Sequence, residues 1–319
     1  MVHHLGPLPE VSETSSGPVC PAGGRPVRSD RPAIAGLVTG NFPCRFESFA
    51  RYQRPRKETS PGRGAHRALV GSRASRMHDV VTTAGGLQTR VLQTDADRAP
   101  SLLTLFCHGY GASGEDLVPF VPDLVEREPR LATVRFAFPA GPLSLGNLPW
   151  GDSRAWWPLD WADFEAANRI GWEGVQNALP AGLPPARRQL QACVEALLPG
   201  SGLAPDRVVI GGFSQGAMLA TDLTLHWEHR PAALVVLSGI LLDQRRWRQL
   251  APRRAGLPVV QSHGREDGVL PFHEGEALHH LLVDAGLAVE WIPFDGPHTV
   301  SPEALDAVAS LLTRLLPST

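Results

Sequence analysis

Ser214 stands at the centre of Gly212-Phe213-Ser214-Gln215-Gly216, a Gly-x-Ser-x-Gly pentapeptide. A serine hydroxyl becomes a competent nucleophile only when a base takes its proton and a third group orients that base. Upstream, Arg207-Val208-Val209-Ile210 is rich in β-branched residues and predicts a strand; downstream, Ala217-Met218-Leu219-Ala220 predicts a helix. Strand, sharp turn and helix form the setting in which this pentapeptide lifts its serine out of the chain as a nucleophile elbow. The two flanking glycines suit that turn because they bring no Cβ into a crowded bend.

Candidate partners follow at two later strand-to-loop transitions. His298, in Gly296-Pro297-His298-Thr299, comes after the apolar run Val289–Phe294 and is the candidate base. Asp267, in His263-Gly264-Arg265-Glu266-Asp267-Gly268, follows the run Pro258–His263 and is the candidate orienting acid, with Glu266 and Asp295 as rivals. A fourth requirement is a pair of backbone N–H donors for the oxyanion of a tetrahedral intermediate, each worth on the order of a hundredfold to a thousandfold in rate. Phe106-Cys107-His108-Gly109-Tyr110-Gly111 ends an early strand in a glycine-bracketed turn, so the expected donors are the N–H groups of Tyr110 and Gln215. His108 and His263 each precede a glycine at a strand end, and a structural role is expected for both because this chemistry needs one histidine.

Strands and helices must alternate to hold these loops on one edge. Leu87–Leu92, Leu102–Cys107, Val134–Phe138, Arg207–Ile210, Ala233–Leu237, Pro258–His263 and Val289–Phe294 read as strands, several apolar throughout. Glu115–Arg127, the stretch carrying Leu190, Cys193, Val194 and Leu197, Gly275–Ala285 and Pro302–Leu316 read as helices, the last capped by Ser301 with Pro302 in its first turn. Continuous apolar strands between helices predict an α/β fold with a mostly parallel sheet covered on both faces.

His108-Gly109-Tyr110-Gly111, the Gly-Phe-Ser-Gln-Gly-Ala elbow, Ser238-Gly239, Gly264-Arg265-Glu266-Asp267 and His298 together resemble the phospholipase/carboxylesterase family of serine hydrolases, which includes acyl-protein thioesterases. The likeness runs from about residue 87 to 318, and the chain order Ser, Asp, His is that of α/β-hydrolases. It implies an α/β-hydrolase fold without a large lid domain, acting on a small-molecule ester or thioester with no metal or organic cofactor. Carboxylesterase action is the first expectation, with thioesterase or lysophospholipase action as alternatives and a non-catalytic binding protein as the rival class. The region 149–186 departs from better-known members: Trp150, Trp156, Trp157, Trp161 and Trp172 put five of eight tryptophans within 23 residues. They either wall an acyl-binding groove, with Trp156 and Trp157 as its substrate-binding residues, or pack this insertion against the sheet.

The 319 residues carry a formal charge of −2 that hides an asymmetry. Residues 1–77 hold eleven Arg and one Lys against five acidic residues, a net of +7, whereas residues 78–319 carry −9. The first segment is rich in Pro, Gly, Ser and Arg without helical or strand period, a composition that buries too little apolar surface to offset ordering entropy. It is expected to be a disordered tail or an over-extended reading frame with Met77 as the natural start; a transit peptide or a basic nucleic-acid-binding tail fits its scattered charges less well. Residues 78–319 are expected to form the catalytic domain, whose negative balance gives no reason for nucleic-acid or anionic-membrane binding.

Cys20, Cys44, Cys107 and Cys193 form no disulfide framework or Cys-x-x-Cys pattern, which favours a cytoplasmic location. No apolar window is long enough for a stable membrane insertion. His226 and His229, like His273, Glu276 and His280, share helical faces without a recognisable third metal ligand, and no phosphate-binding glycine fingerprint is present.

Overall fold

The computed structural model describes residues 77–148, 151–159 and 171–317. The expectations for residues 1–76, and for Cys20, Cys44, Trp150 and Trp161, lie outside the described residues. Ten strands are described: β1 His78–Ala84, β2 Leu87–Gln93, β3 Leu103–Cys107, β4 Arg135–Pro139, β5 Leu143–Leu148, β6 Gly151–Ala155, β7 Val208–Phe213, β8 Ala233–Leu237, β9 Pro258–Gly264 and β10 Ala288–Phe294. The described helices are α1 Phe120–Arg127, α2 Glu173–Asn177, α3 Leu183–Ser201, α4 Gln215–His226, α5 Gln244–Leu250, α6 Phe272–Asp284 and α7 Pro302–Leu315.

Eight strands form one sheet in the order β1-β2-β4-β3-β7-β8-β9-β10, and β5 pairs with β6 in a separate hairpin. β2 runs antiparallel to both its neighbours, β1 and β4, while β4, β3, β7, β8, β9 and β10 are parallel. The register aligns the carboxyl ends. Cys107 faces Gly212, Phe213 faces Leu237, Leu237 faces Ser262 and Phe294 faces Gly264. Consequently the turns that follow β3, β7, β9 and β10 leave the sheet along one edge, and those turns carry His108–Gly111, Ser214, Asp267 and His298.

The period-2 alternation of strands sorts their side chains between two apolar layers. Leu103, Leu105 and Cys107 of β3 join Val208 and Ile210 of β7 on the face covered by α3, α4, α5 and α6. Phe106 and Val209 point the other way, toward α1 and α7. Helix α4 is buried along residues 215–225, which fixes its first turn under the site. Each fully buried leucine in these layers contributes roughly 1.5–3 kcal/mol relative to exposure.

The expected helix Glu115–Arg127 begins instead at Phe120. Residues before it form single turns, with Val118 N–H donating to Glu115 O at 3.0 Å and Phe120 N–H to Leu117 O at 3.0 Å. Pro119 supplies no N–H, and its ring would strike the carbonyl of Glu115 in a continuous helix. The structure adds β1, the β5–β6 hairpin, α2 and α5 to the elements read from sequence. Ser301 caps α7 as expected, its Oγ accepting from Ala304 N–H at 3.2 Å.

Candidate active site

The elbow at Ser214 is set by contact on both sides of the serine. A Cβ on Gly212 would overlap the backbone of Gly216, and a Cβ on Gly216 would overlap the carbonyl of Cys107 in the neighbouring strand. Only hydrogen at both positions lets α4 start this close to β3 and β7. Between the two glycines, Ser214 takes φ 55° and ψ −120°, a conformation that L-residues adopt only at a cost of about 1–3 kcal/mol. Its N–H donates to Leu237 O at 2.9 Å, and its carbonyl accepts from Ala217 and Met218 at the start of α4. The serine is half-buried rather than sealed.

His298 and Asp267 meet across the ends of β9 and β10. His298 Nδ1 lies 2.6 Å from Asp267 Oδ2. The other carboxylate oxygen, Oδ1, accepts backbone N–H bonds from Val269 at 2.9 Å and Leu270 at 2.8 Å, so the carboxyl group cannot rotate without breaking them. The two loops are tied by Arg265 N–H to Phe294 O at 2.8 Å and Glu266 N–H to Gly296 O at 3.0 Å, and Ser238 Oγ donates to Thr299 O at 3.3 Å. Burial alone would raise the Asp267 carboxyl, but hydrogen bonds from His263, His298 and Leu270 and the charge of His298 hold it far below the usual carboxylate range. The His298 ring packs against Phe213, the residue before the serine, with ring centroids 4.7 Å apart. Of the rivals to Asp267, Asp295 is exposed and lies 3.6 Å from Arg265 Nε, away from the imidazole.

The turn after β3 abuts the elbow: a Cβ on Gly109 would sit 3.4 Å from the Ser214 Cβ. Gln215 occupies the first position of α4, where a backbone N–H has no partner within the helix. The turn is braced from several directions. Gly111 N–H donates to Arg154 O at 2.8 Å, Arg154 N–H to Ala112 O at 2.9 Å, and Ser153 Oγ to Gly111 O at 2.7 Å, so β6 is its scaffold. The fully buried His108 ring accepts from Gly141 N–H through Nε2 at 2.8 Å and bonds Gly109 O through Nδ1 at 2.7 Å. A single neutral tautomer, with hydrogen on Nδ1, satisfies both contacts. Burial pushes this imidazole below its ordinary value, against a smaller opposing effect of Gly109 O.

Trp156 and Trp157 are only 2% and 1% exposed and belong to the apolar core. Trp156 Nε1 donates to His108 O at 2.9 Å, with the two rings 5.2 Å apart. Trp157 packs so tightly on Gly182 that a Cβ there would overlap its side chain. The Trp-rich segment thus packs against the sheet with these two indoles, correcting the expectation that they wall an open groove. A large flat side chain buries more area than any other residue type, which serves anchoring as well as it serves a ligand.

Sequence reasoning credited Gln215 with its backbone alone. Its side chain also accepts Trp156 N–H at 2.9 Å and donates to Trp157 O at 2.9 Å, fastening the segment to the elbow. The glutamine after the serine was the signal; what hid its role was that its partners lie 58 and 59 residues away. His226 and His273, from the two histidine-rich faces, contact Asp222 at 3.1 Å and Glu274 at 3.3 Å respectively.

The chain resembles known proteins in sequence and in fold. Residues 90–316 match the sequence profile described as Phospholipase/Carboxylesterase. Acyl-protein thioesterase 1 of Neurospora crassa is 28% identical over 217 residues, covering 67% of this chain and 86% of that protein. Acyl-protein thioesterase 1 of Eremothecium gossypii is 31% identical over 211 residues, covering 62% of this chain and 81% of that protein. The crystal structure of esterase PE8 superposes with a TM-score of 0.58 at 25% identity, covering 76% of this chain and 99% of the other.

Proposed function

The chain belongs to the phospholipase/carboxylesterase family, and on that premise we propose that it hydrolyses carboxylic esters or thioesters with Ser214 as nucleophile, His298 as base and Asp267 as orienting acid. The α/β-hydrolase fold and a hydrolytic activity come with the family and its relatives. The observation that carries the assignment of residues is the 2.6 Å contact of His298 Nδ1 with Asp267 Oδ2, beside an elbow serine in strained conformation.

In the first half-reaction His298 Nε2 takes the Ser214 hydroxyl proton while Oγ bonds to the acyl carbon. The carbonyl π pair moves to oxygen, where the N–H groups of Tyr110 and Gln215 hold it. Collapse of this intermediate breaks the bond to the alcohol or thiol, which leaves with the proton from His298. In the second half-reaction water attacks the acyl-serine, its proton passing to His298 and then to Ser214 Oγ, and the carboxylic acid departs. Asp267 fixes the tautomer with hydrogen on His298 Nδ1 and stabilises the cation that forms.

The carboxylesterase reading needs only these groups. A thioester leaving group uses the same machinery, and the names of the Neurospora and Eremothecium relatives favour it as the second reading. Initial rates on p-nitrophenyl esters from acetyl to palmitoyl, beside an acyl-thioester of matched chain length, separate the two. Wild-type turnover that vanishes in Ser214→Ala supports the nucleophile; turnover that survives the substitution removes it.

A further inference from the structure

His263 is the penultimate residue of β9, four residues before Asp267, and its ring is fully buried. Its Nε2 lies 3.2 Å from Asp267 Oδ2 and 2.8 Å from Leu270 O. A carboxylate and a carbonyl both accept, so Nε2 carries the hydrogen and shares it between them. The other nitrogen, Nδ1, is buried without any hydrogen-bond partner. A Cβ on Gly275 of α6 would overlap that nitrogen, so the ring is admitted only because residue 275 is glycine. Phe272 closes the pocket edge-on, with ring centroids 6.1 Å apart.

This arrangement is costly in one respect. A buried acceptor left without a donor destabilises a protein, whereas an apolar side chain of similar size would not. The imidazole therefore sacrifices stability at Nδ1, and what it provides in exchange lies at Nε2. We propose that His263 is a positioning residue for the candidate active site, holding Asp267 Oδ2 jointly with His298 so that the carboxylate meets the catalytic imidazole in a single orientation. Four donors then fix the four lone-pair directions of Asp267: Val269 and Leu270 on Oδ1, His298 and His263 on Oδ2. The inference rests on the hydrolytic reading of Ser214, His298 and Asp267.

Other charged groups close to this pair are engaged elsewhere. Arg265 stands 4.9 Å over the Phe272 ring and 3.6 Å from Asp295. Glu274, at the start of α6, is bonded by Gln176 Nε2 and approached by His273. Glu266 is exposed on the same loop. Among the described residues, only His263 and His298 bring an ionisable side chain to the Asp267 carboxylate.

The test compares the full-length wild type with His263→Leu and His263→Gln on p-nitrophenyl butyrate across pH. Leucine removes the donor and the orphaned nitrogen; glutamine keeps an N–H near the position of Nε2. His263→Leu removes the orphaned nitrogen but also strands Leu270 O, so it is expected to melt slightly lower than wild type while losing about tenfold in kcat with KM within about twofold. Its carboxylate, short of one donor, holds the imidazolium more tightly, so the acidic limb of kcat/KM moves to higher pH. His263→Gln is expected to restore most of the rate and the wild-type limb. A folded His263→Leu with wild-type kcat and an unmoved limb overturns the proposal, because a purely structural ring would alter melting and leave the profile alone. Should His263→Leu not fold, the wild type labelled with 15N-histidine decides. The His263 Nε2–H resonance shifts in step with the acidic limb if both rings share Oδ2, and a resonance indifferent to it overturns the proposal. A wild type without Ser214-dependent turnover sinks the hydrolytic reading instead, and the resonance then judges the contact between the two rings by itself.

Discussion

The side chain of Gln215 reaches 59 residues back along the chain to accept the backbone N–H of Trp156 at 2.9 Å. With its other end bonded to Trp157 O, one amide spans the gap between the elbow and the Trp-rich segment. Because the same residue supplies a candidate oxyanion N–H, the position of that donor and the position of the segment are mechanically linked.

Truncating this amide isolates its side-chain role from its backbone role. Gln215→Ala leaves the N–H in place but strands Trp156 N–H and Trp157 C=O in a buried setting, each at a cost of about 1–3 kcal/mol. The expected outcome is a loss of about 2–6 kcal/mol of unfolding free energy, read as a lower urea midpoint at unchanged slope. A midpoint equal to wild type would mean that the segment is held by its indoles alone.

Strain at Ser214 separates stability from chemistry. Replacing it by alanine removes the hydroxyl while keeping the Cβ at φ 55°, so hydrolysis is abolished with stability near wild type. Glycine at the same position abolishes hydrolysis too, but it adopts that backbone freely. Ser214→Gly is therefore expected to be more stable than Ser214→Ala by about 1 kcal/mol in matched thermal or denaturant melts. Equal stability of the two variants would show that the elbow is unstrained in solution.

Asp267 links the site to acid stability. Its folded-state pKa is depressed, so the ionised carboxylate contributes stability that is fully present above the unfolded value of about 3.9 and is lost as pH falls toward the folded value. In Asp267→Asn no such group titrates. The stability gap between wild type and variant is expected to be constant above about pH 5 and to shrink below about pH 4. At neutral pH the variant also misdirects the His298 tautomer, and kcat is expected to fall on the order of 10³- to 10⁴-fold. A gap that stays constant down to pH 3 would contradict the hydrogen-bond count at this carboxylate.

The legibility of the chain divides along a physical line. β8 was readable to the residue and β3 nearly so, because these buried parallel strands are almost wholly apolar. β9 and β10 were readable to within a residue at one end, whereas β7 was read three residues short, where its apolar run gives way to Gly211 and Gly212. The elbow and its two later partners were readable because each sits where an apolar run breaks into glycine and charge. β1 escaped since most of its residues are exposed, which leaves no alternation to detect. The β5–β6 hairpin escaped because Gly146 and Asn147 interrupt the leucines of Leu143–Leu148 and Gly151–Ala155 is short and polar, yet its β6 strand braces the turn after β3. For Trp156 and Trp157 the sequence left a groove wall and packing against the sheet equally open. Whether an aromatic faces a ligand or a helix depends on contacts with Gly182 and His108, distant in sequence.

His108 supplies a prediction in the opposite titration sense from a salt-bridged histidine. Both ring nitrogens are satisfied only in the neutral form, since a hydrogen on Nε2 would confront the Gly141 N–H at 2.8 Å. Burial depresses the folded-state pKa, so near neutral pH the native and unfolded chains both hold a neutral ring and the contribution to stability is complete. As pH falls through the unfolded value of about 6.5, the unfolded chain binds a proton that the native chain refuses, and stability declines. His108→Asn keeps a donor toward Gly109 O but loses the acceptor for Gly141 N–H, so it is less stable at pH 7.5. Lacking the titrating ring, it is expected to lose less stability than wild type between pH 7.5 and 5, and the two unfolding curves converge. Measured by urea titration across that range, parallel curves would show that His108 accepts its proton in the folded state, and that the turn behind Ser214 is not locked by a neutral imidazole.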